Sequence, residues 1–412
     1  MKVMITNAFG RSNRGDSVLL DECIAEVRAV LPTAEISCSV FEGIESSRAV
    51  HPNVRWSERI GNSTGHGIRA KIVTLWLIFI AIIATIPGLG WVSSILPKTQ
   101  HESWKRIREA DIVISAPGGY IHDTNFAYYV ALLHIALARR SARSILAPQS
   151  IGPIDSLFAR LVARRILMGA DAICARESYT FEFLTDELRL PTKILRRSGD
   201  SAFWNYSVSA SNDAQVKSAW DQIGVDPEAG DPILGLTVVD WNFPKSENAT
   251  AARELYVDGL AAVIDHLSSE HGMRAVIFNQ VSEDLGMAAR VAATCKSRVA
   301  VDTASREPEI LRSLIGSSTL FIGTRFHSCI FAMMANCPTL AIAYLPKTSY
   351  ILKDLDLDHR QVSIDNFDAK RALLTLEKDL SDLRAASWEI EEAVSVYRKS
   401  HAQLRDVLAE ET

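Results

Sequence analysis

The sequence predicts an α/β protein of two doubly wound, Rossmann-like domains. Apolar runs of strand length alternate with longer runs of helical spacing over the first half of the chain and again over the second. That alternation argues for parallel sheets with helices on both faces. A chain of 412 residues is also too long for one ordinary core, and a polar stretch rich in Ser, Asn, Asp and Gly separates the two series. The expected boundaries are an N-terminal α/β domain over 1–205, a linker with a short helix over 206–230, and a C-terminal α/β domain over 231–377. A charged amphipathic helix is expected over 378–412. The active site of such a pair is expected in the interdomain cleft, where strands end at their carboxyl edges.

The elements follow in order. MKVMITNA reads as a strand, and DSVLLDECIAEVRAVLP has helical spacing with Asp16 at its start. EISCSVF and ADIVISAPGG read as strands, NFAYYVALLHIALARRSA as a helix, ARSILAPQSIG as a strand and SLFARLVARRILMGA as a helix. DAICARES and TKILRRSGD are short strand-to-loop units. The second series opens with the strand PILGLTVVDW, the helix ARELYVDGLAAVIDHLSSEHG and the strand MRAVIFNQ. It continues through SEDLGMAARVAATC (helix), RVAVDT (strand), PEILRSLIGSS (helix) and TLFIGTRFHS (strand).

Composition narrows the function. The 44 basic and 49 acidic residues give a net charge of −5, so no bulk electrostatic case exists for nucleic acid, and an anionic ligand would have to meet local arginines. Six scattered cysteines lack a CxxC or Cys/His cluster, which suits buried free thiols in a reducing compartment and argues against a structural zinc. The N-terminus lacks the pattern of a signal peptide, and a cytoplasmic body is expected. One segment stands apart: residues 72–97 carry no charge between Lys71 and Lys98. Pro87, Gly88 and Gly90 interrupt it, and a span would place the first strand across a bilayer from the rest of its sheet. A packing helix is one reading. The other is a helix lying in the membrane interface, with Trp76 and Trp91 at headgroup level and Arg69, Lys71, Lys98, Lys105 and Arg106 flanking it.

Candidate site residues gather at predicted strand ends. In NAFGRSNRGDSVLL, Asn13, Arg14 and Asp16 crowd the first βα junction, where a carboxylate suits hydroxyl contacts better than phosphate; helix capping by Asp16 is the simpler role. In APGGYIHD, Gly118 and Gly119 allow close backbone approach, followed by His122 and Asp123. APQSIGP supplies Gln149 and Ser150, and CARES supplies Arg176 and Glu177, for which a buried ion pair is the alternative to a ligand contact. The most specific stretch is GTRFHS: Arg325 and His327, two apart before an apolar helix, form an anion cradle with that helix's N-terminus, and Lys347 follows the next strand.

In this order and spacing, NRGDSVLL, APGGYIHD, APQSIGP, ARES, GDSAF and GTRFHSCIFAMMANCPTLAIAYLPK resemble the polysaccharide pyruvyl transferase family, of colanic-acid type in the NRGDS form. The usual GGGxLxD loop of that family is altered here at Pro117 and Ile121 but keeps Asp123. The resemblance covers about residues 3–355 and implies a glycosyltransferase-B-like architecture. It also implies transfer of the pyruvyl skeleton of phosphoenolpyruvate to two hydroxyls of a sugar, in an exopolysaccharide or lipid-linked oligosaccharide, as a ketal. On that reading His327 is the general acid and Asp16 the base. Arg325, Arg176 and Lys347 neutralise phosphate; Asn13, Arg14, Gly118, Gly119, Asp123, Gln149 and Ser150 bind substrate; no metal or cofactor is required beyond the donor. Two alternatives are a nucleotide-sugar glycosyltransferase of the same fold and a non-enzymatic, membrane-associated assembly scaffold. The first would favour an acidic ribose contact after a glycine loop in the second half, which the sequence lacks.

Overall fold

Along β1 (Lys2–Ala8) the side chains Val3 and Ile5 enter one core and Met4 another, and all three are buried. A strand covered on both faces needs no polar alternation, so it reads as a continuous apolar run. The computed structural model divides into a first unit, Met1–Ser207 with His401–Thr412, and a second, Val208–Ser400. It describes all residues except 12–13, 64–66, 124–126, 140–141, 205–212 and 411–412, and not the side chain of Arg14.

In the first unit β1 is followed by α1 (Arg14–Val30), β2 (Glu35–Val40), α2 (Ile44–Val50) and β3 (Arg55–Glu58). Next come α3 (Ile68–Ile83), α4 (Lys98–Glu109), β4 (Ile112–Ser115) and β5 (Gly118–Ile121). The series ends with α5 (Ala127–Ala138), β6 (Arg143–Ile151), α6 (Leu157–Leu167), β7 (Ala172–Ala175), α7 (Ser178–Glu182) and β8 (Leu195–Arg197). The strands lie in the order β3-β2-β1-β4-β6-β7-β8 with β5 beside β6, all parallel. Strand order reverses beside β1, so the loop from β1 to α1 opens at the switch point where such sheets bind ligands.

The second unit opens with α8 (Asp213–Ile223), inside the expected linker, then β9 (Ile233–Thr237), α9 (Ala249–His271) and β10 (Arg274–Ile277). It continues with α10 (Leu285–Thr294), β11 (Val299–Val301), α11 (Pro308–Gly316), β12 (Leu320–Gly323) and α12 (Phe326–Met334). After these come β13 (Thr339–Ala343), α13 (Pro346–Asp354) and β14 (Gln361–Ser363). Its strand order, β11-β10-β9-β12-β13-β14, is again wholly parallel and reverses between β9 and β12.

One expectation changes. The single helix over 378–412 is instead three: α14 (Ala369–Ser381), α15 (Leu383–Ser400) and α16 (Leu404–Ala409). The break before α16 is where the chain rejoins the first unit. There the Ala402 N–H donates to the Arg197 carbonyl at 3.0 Å, and Leu404, Val407 and Leu408 fill the core beside α1. Apolar spacing keeps its helical phase across that break, so periodicity alone conceals it. The segment 72–97 is neither wholly enclosed nor a span. Leu77, Ile80 and Ala81 of α3 pack with Leu133 and Leu137 of α5, while Ile72, Trp76 and Phe79 are exposed. Among the described residues no helix is long and apolar enough to cross a membrane.

The docking of α16 places a carboxyl group under strain. Glu26 of α1 is buried and accepts the Arg405 N–H at 2.9 Å. Burial, with Glu22 adding to it against the Arg405 bond, raises its pKa to about 7. A carboxyl that binds its proton more tightly folded than unfolded contributes stability that is present at low pH and lost as pH rises through the raised value. Glu26→Gln keeps the acceptor without the charge. We expect it to match wild type below the ordinary glutamate pKa of about 4.3, to draw ahead as pH rises from there, and to exceed wild type above the raised pKa by on the order of 1–3 kcal/mol, measured by urea unfolding across pH.

Candidate functional sites at the strand edges

The carboxyl edge of the second sheet is built around Arg325. Gly323 ends β12 with the Cys329 sulfur so near that a β-carbon would collide with it, which holds the turn close to the helix that follows. Arg325 is the N-cap of α12, in extended conformation, so its side chain leaves the strand end rather than the helix flank. The turn is tied underneath: the Ser328 hydroxyl donates to the Arg325 carbonyl at 2.6 Å and lies 2.7 Å from the Thr237 hydroxyl. Tyr256 and Thr324 pair at 3.0 Å.

The guanidinium is aimed by Asp284, which stands just before α10. Nε and Nη2 of Arg325 donate to the two oxygens of Asp284 at 2.7 and 2.8 Å, a planar fork-to-fork pair. Asp284 also accepts the Asp240 N–H at 2.9 Å, so the loop after β9 holds the carboxylate in place. Nη1 of Arg325 points to the Tyr344 hydroxyl at 3.5 Å, and Tyr344 packs edge-on against Trp241. Burial disfavours the arginine's charge, but the Asp284 and Tyr344 contacts outweigh it and raise its pKa. His327, the second residue of α12, is 7% exposed, and Lys347 at the start of α13 is half-buried. Asn279 and Gln280, after β10, are buried with carbonyl oxygens that find no partner among the described residues. The ends of β9, β10, β12 and β13 thus bring Arg325, His327, Lys347 and a set of polar acceptors to one edge, beside the N-termini of α12 and α13. An anion suits this edge.

The first unit has its own polar edge. Asp16 lies in the first turn of α1 and is half-exposed. Nearby, the buried Arg11 holds Asp21 at 2.8 Å, and His51 reaches the same carboxylate at 2.7 Å. Gly10 has φ +117, and its backbone passes so near the Glu42 carbonyl that no side chain fits. The expected contacts of Asn13 and of the Arg14 side chain lie outside the described residues. Gly118 is buried, Gly119 is exposed, and Asp123 caps the next turn by accepting the Ser156 N–H at 2.9 Å.

Two expected ligand contacts have another role in this unit. Gln149 is fully buried; its amide donates to the Tyr120 hydroxyl at 2.8 Å and to the Ala116 carbonyl, tying the turn before β5. Arg176 is 2% exposed, with Asp200 at 3.2 Å, Glu177 at 3.6 Å and the Ser150 hydroxyl also against it. Two carboxylates enclose its charge, so it belongs to an internal ion network, the alternative weighed for it from the sequence. Burial raises the Glu177 pKa, against the pull of Arg176. A separate group of possible metal ligands, His266, His271 and Glu377, lies at the far end of α9, where the chain approaches the amino edge of the sheet. His266 and Glu377 there are partly exposed and in hydrogen-bond contact at 2.7 Å.

The family model of the polysaccharide pyruvyl transferases matches residues 13–346, from the start of α1 to Pro346 and including Arg325 and His327. The chain belongs to that family. Amylovoran biosynthesis protein AmsJ of Erwinia amylovora is 22% identical over 383 residues, covering 87% of this chain and 86% of AmsJ. The solved structures similar to this pyruvyl transferase family member show its fold, of glycosyltransferase-B type. UDP-GlcNAc 2-epimerase from Neisseria meningitidis superposes with a TM-score of 0.62 at 10% identity, covering 100% of this chain and 99% of the epimerase. Anabaena HepE, solved with UDP and glucose, gives 0.58 at 11% identity, covering 100% and 98%.

Sequence reasoning missed Asp284, Tyr344 and Gln280. Asp284 reads locally as a helix-start acid, and nothing in its neighbourhood marks it as the partner of an arginine 41 residues away. The different settings of the two arginines are testable by stability. Removing Arg176 strands two buried carboxylates, so Arg176→Met should cost about 3–5 kcal/mol in urea unfolding, with part regained on adding Glu177→Gln. Arg325→Ala, at a more open edge, should cost less.

Proposed function

We propose that this protein transfers the pyruvyl group of phosphoenolpyruvate to two hydroxyls of a sugar, forming a pyruvate ketal and releasing phosphate. The observation that carries the reading is Arg325, fixed by Asp284 at the switch point of the second sheet with His327 and Lys347 beside it, in a member of a family of polysaccharide pyruvyl transferases. Phosphoenolpyruvate is a small trianion, and an aimed guanidinium, a lysine and two helix N-termini suit its carboxylate and phosphate. With two of its nitrogens held by Asp284, Arg325 offers the donor its Nη1 edge. His327 supplies a proton to the methylene carbon, which becomes the methyl group. One sugar hydroxyl adds to the cation-like central carbon, and a second displaces phosphate from it. Of the two hydroxyl protons lost, one restores His327 and the other leaves with phosphate. Asp16, at the edge of the first sheet, is the base that receives the second of these protons and passes it to the departing phosphate. The protein cations carry the phosphate charge, so no metal or cofactor enters the scheme. The acceptor is a sugar of an exopolysaccharide or of a lipid-linked oligosaccharide, met on the cytoplasmic side with the apolar 72–97 segment in contact with the membrane.

Arg325→Ala and His327→Ala are each expected to reduce phosphoenolpyruvate-dependent phosphate release by about tenfold or more, the arginine variant mainly through donor affinity. Unchanged phosphoenolpyruvate binding in both variants by calorimetry would overturn the donor assignment. Phosphate-free turnover of a UDP-sugar would favour a glycosyltransferase instead. Asp16→Asn keeps size and capping ability, so turnover should fall while the melting temperature holds; an equal loss of both would return Asp16 to a capping role.

A further inference from the structure

We infer that the first unit seats on an anionic phospholipid bilayer through a face shared by α3 and α6, with a lipid hydrocarbon chain entering the groove between them. This deepens the membrane contact of 72–97 proposed above and rests on that part of the reading, not on the pyruvyl chemistry. From Ile72 onward helix α3 is apolar on every side but for the buried Thr74. Its inner face is in the core, while Ile72, Leu75, Trp76, Phe79 and Ile82 recur at helical spacing on the outer face, Trp76 56% exposed and stacked on Phe79 at 5.9 Å. The second leg was not evident in the sequence. On α6, Leu157, Phe158 and Leu161 are 81%, 67% and 64% exposed, on the side of the helix opposite its buried Ala159 and Ala163. Between these helices, over α5, runs a groove of about 510 Å³ with an almost wholly apolar lining that includes Leu75, Ile82, Tyr129, Leu133, Val162 and Ile166. An exposed apolar surface of this extent marks an interaction site.

Charge identifies the occupant. Residues 68–98, 127–139 and 156–169 contain no Asp or Glu, but they do contain Arg69, Lys71, Lys98, Arg139, Arg160, Arg164 and Arg165. All of these but Arg160 are exposed, and Arg165 follows Leu161 by one turn on the same side of α6. Arg160 is paired with Glu187 at 2.8 Å; a second copy of this chain docked face to face would bring the other cations against one another with no acid from these segments to pair them, which disfavours a symmetric dimer. Anionic headgroups above a hydrocarbon layer satisfy both the cationic and the apolar parts of the face.

The test is flotation of the 412-residue chain with vesicles of phosphatidylcholine alone and of phosphatidylcholine with phosphatidylglycerol. Wild type should float with the anionic vesicles, less in high salt and little with the neutral ones. The α6 variant Leu157→Ser/Phe158→Ser/Leu161→Ser should lose affinity by about tenfold or more while keeping its circular dichroism spectrum. Equal flotation of this variant and wild type, or no flotation of wild type, would overturn the inference. So would a salt-resistant dimer, seen by light scattering, that Trp76→Asp dissociates. Phosphate release with soluble phosphoenolpyruvate and a soluble sugar is measured on the same samples. Its absence alongside normal flotation would count against the pyruvyl reading and leave the membrane face standing.

Discussion

Helices cover both faces of each parallel sheet, and this decides where charged groups can work. A strand buried on both sides admits little but apolar residues, so charge has only the strand ends, and the carboxyl ends are where loops open beside helix N-termini. Arg325 is the clearest case. It follows β12, next to the reversal of strand order, and its fork is locked by Asp284 from the end of β10. Asp284 is held in turn by the backbone of the β9 loop. Three strand ends therefore fix one guanidinium, and the rotamer freedom a lone surface arginine would lose on binding is already spent in folding.

The two units use ions differently. In the second, a paired arginine remains part-exposed at an edge furnished with a histidine, a lysine and buried amide oxygens. In the first, the arginine of CARES is enclosed by Glu177, Asp200 and Ser150, where it secures β7 to the loop after β8. Sequence context gave both the same look, an arginine closing a short apolar strand. Depth below the surface separates them, and depth follows from which loops fold over each strand end.

The first unit also depends on the chain's far end. Helix α16 returns to pack beside α1, so the C-terminal residues complete a core begun at β1. On the other side of the same sheet, the helices are apolar beyond what the core requires, and α3 and α6 leave that excess outside. The same sheet thus joins the two chain ends on one face and carries the exposed apolar surface on the other.

The sequence by itself determined the α/β class, the two series of elements and the polar strand ends. These rest on local facts: strand-length apolar runs, helical spacing, and Gly, Arg and His at the junctions. GTRFHS stood out because a strand end, a cap and a helix start all fall within six residues. Short elements such as β3, β5 and β14 were not legible, since three or four residues carry too little pattern to stand out from a loop. Tertiary structure alone decided the partner of Arg325, the burial of Arg176 and Gln149, the return of α16, and the shared outer face of α3 and α6. Each of these joins residues distant in the chain. Local propensity and spacing record what a segment tends to become, whereas these contacts depend on which segments the sheet order makes neighbours.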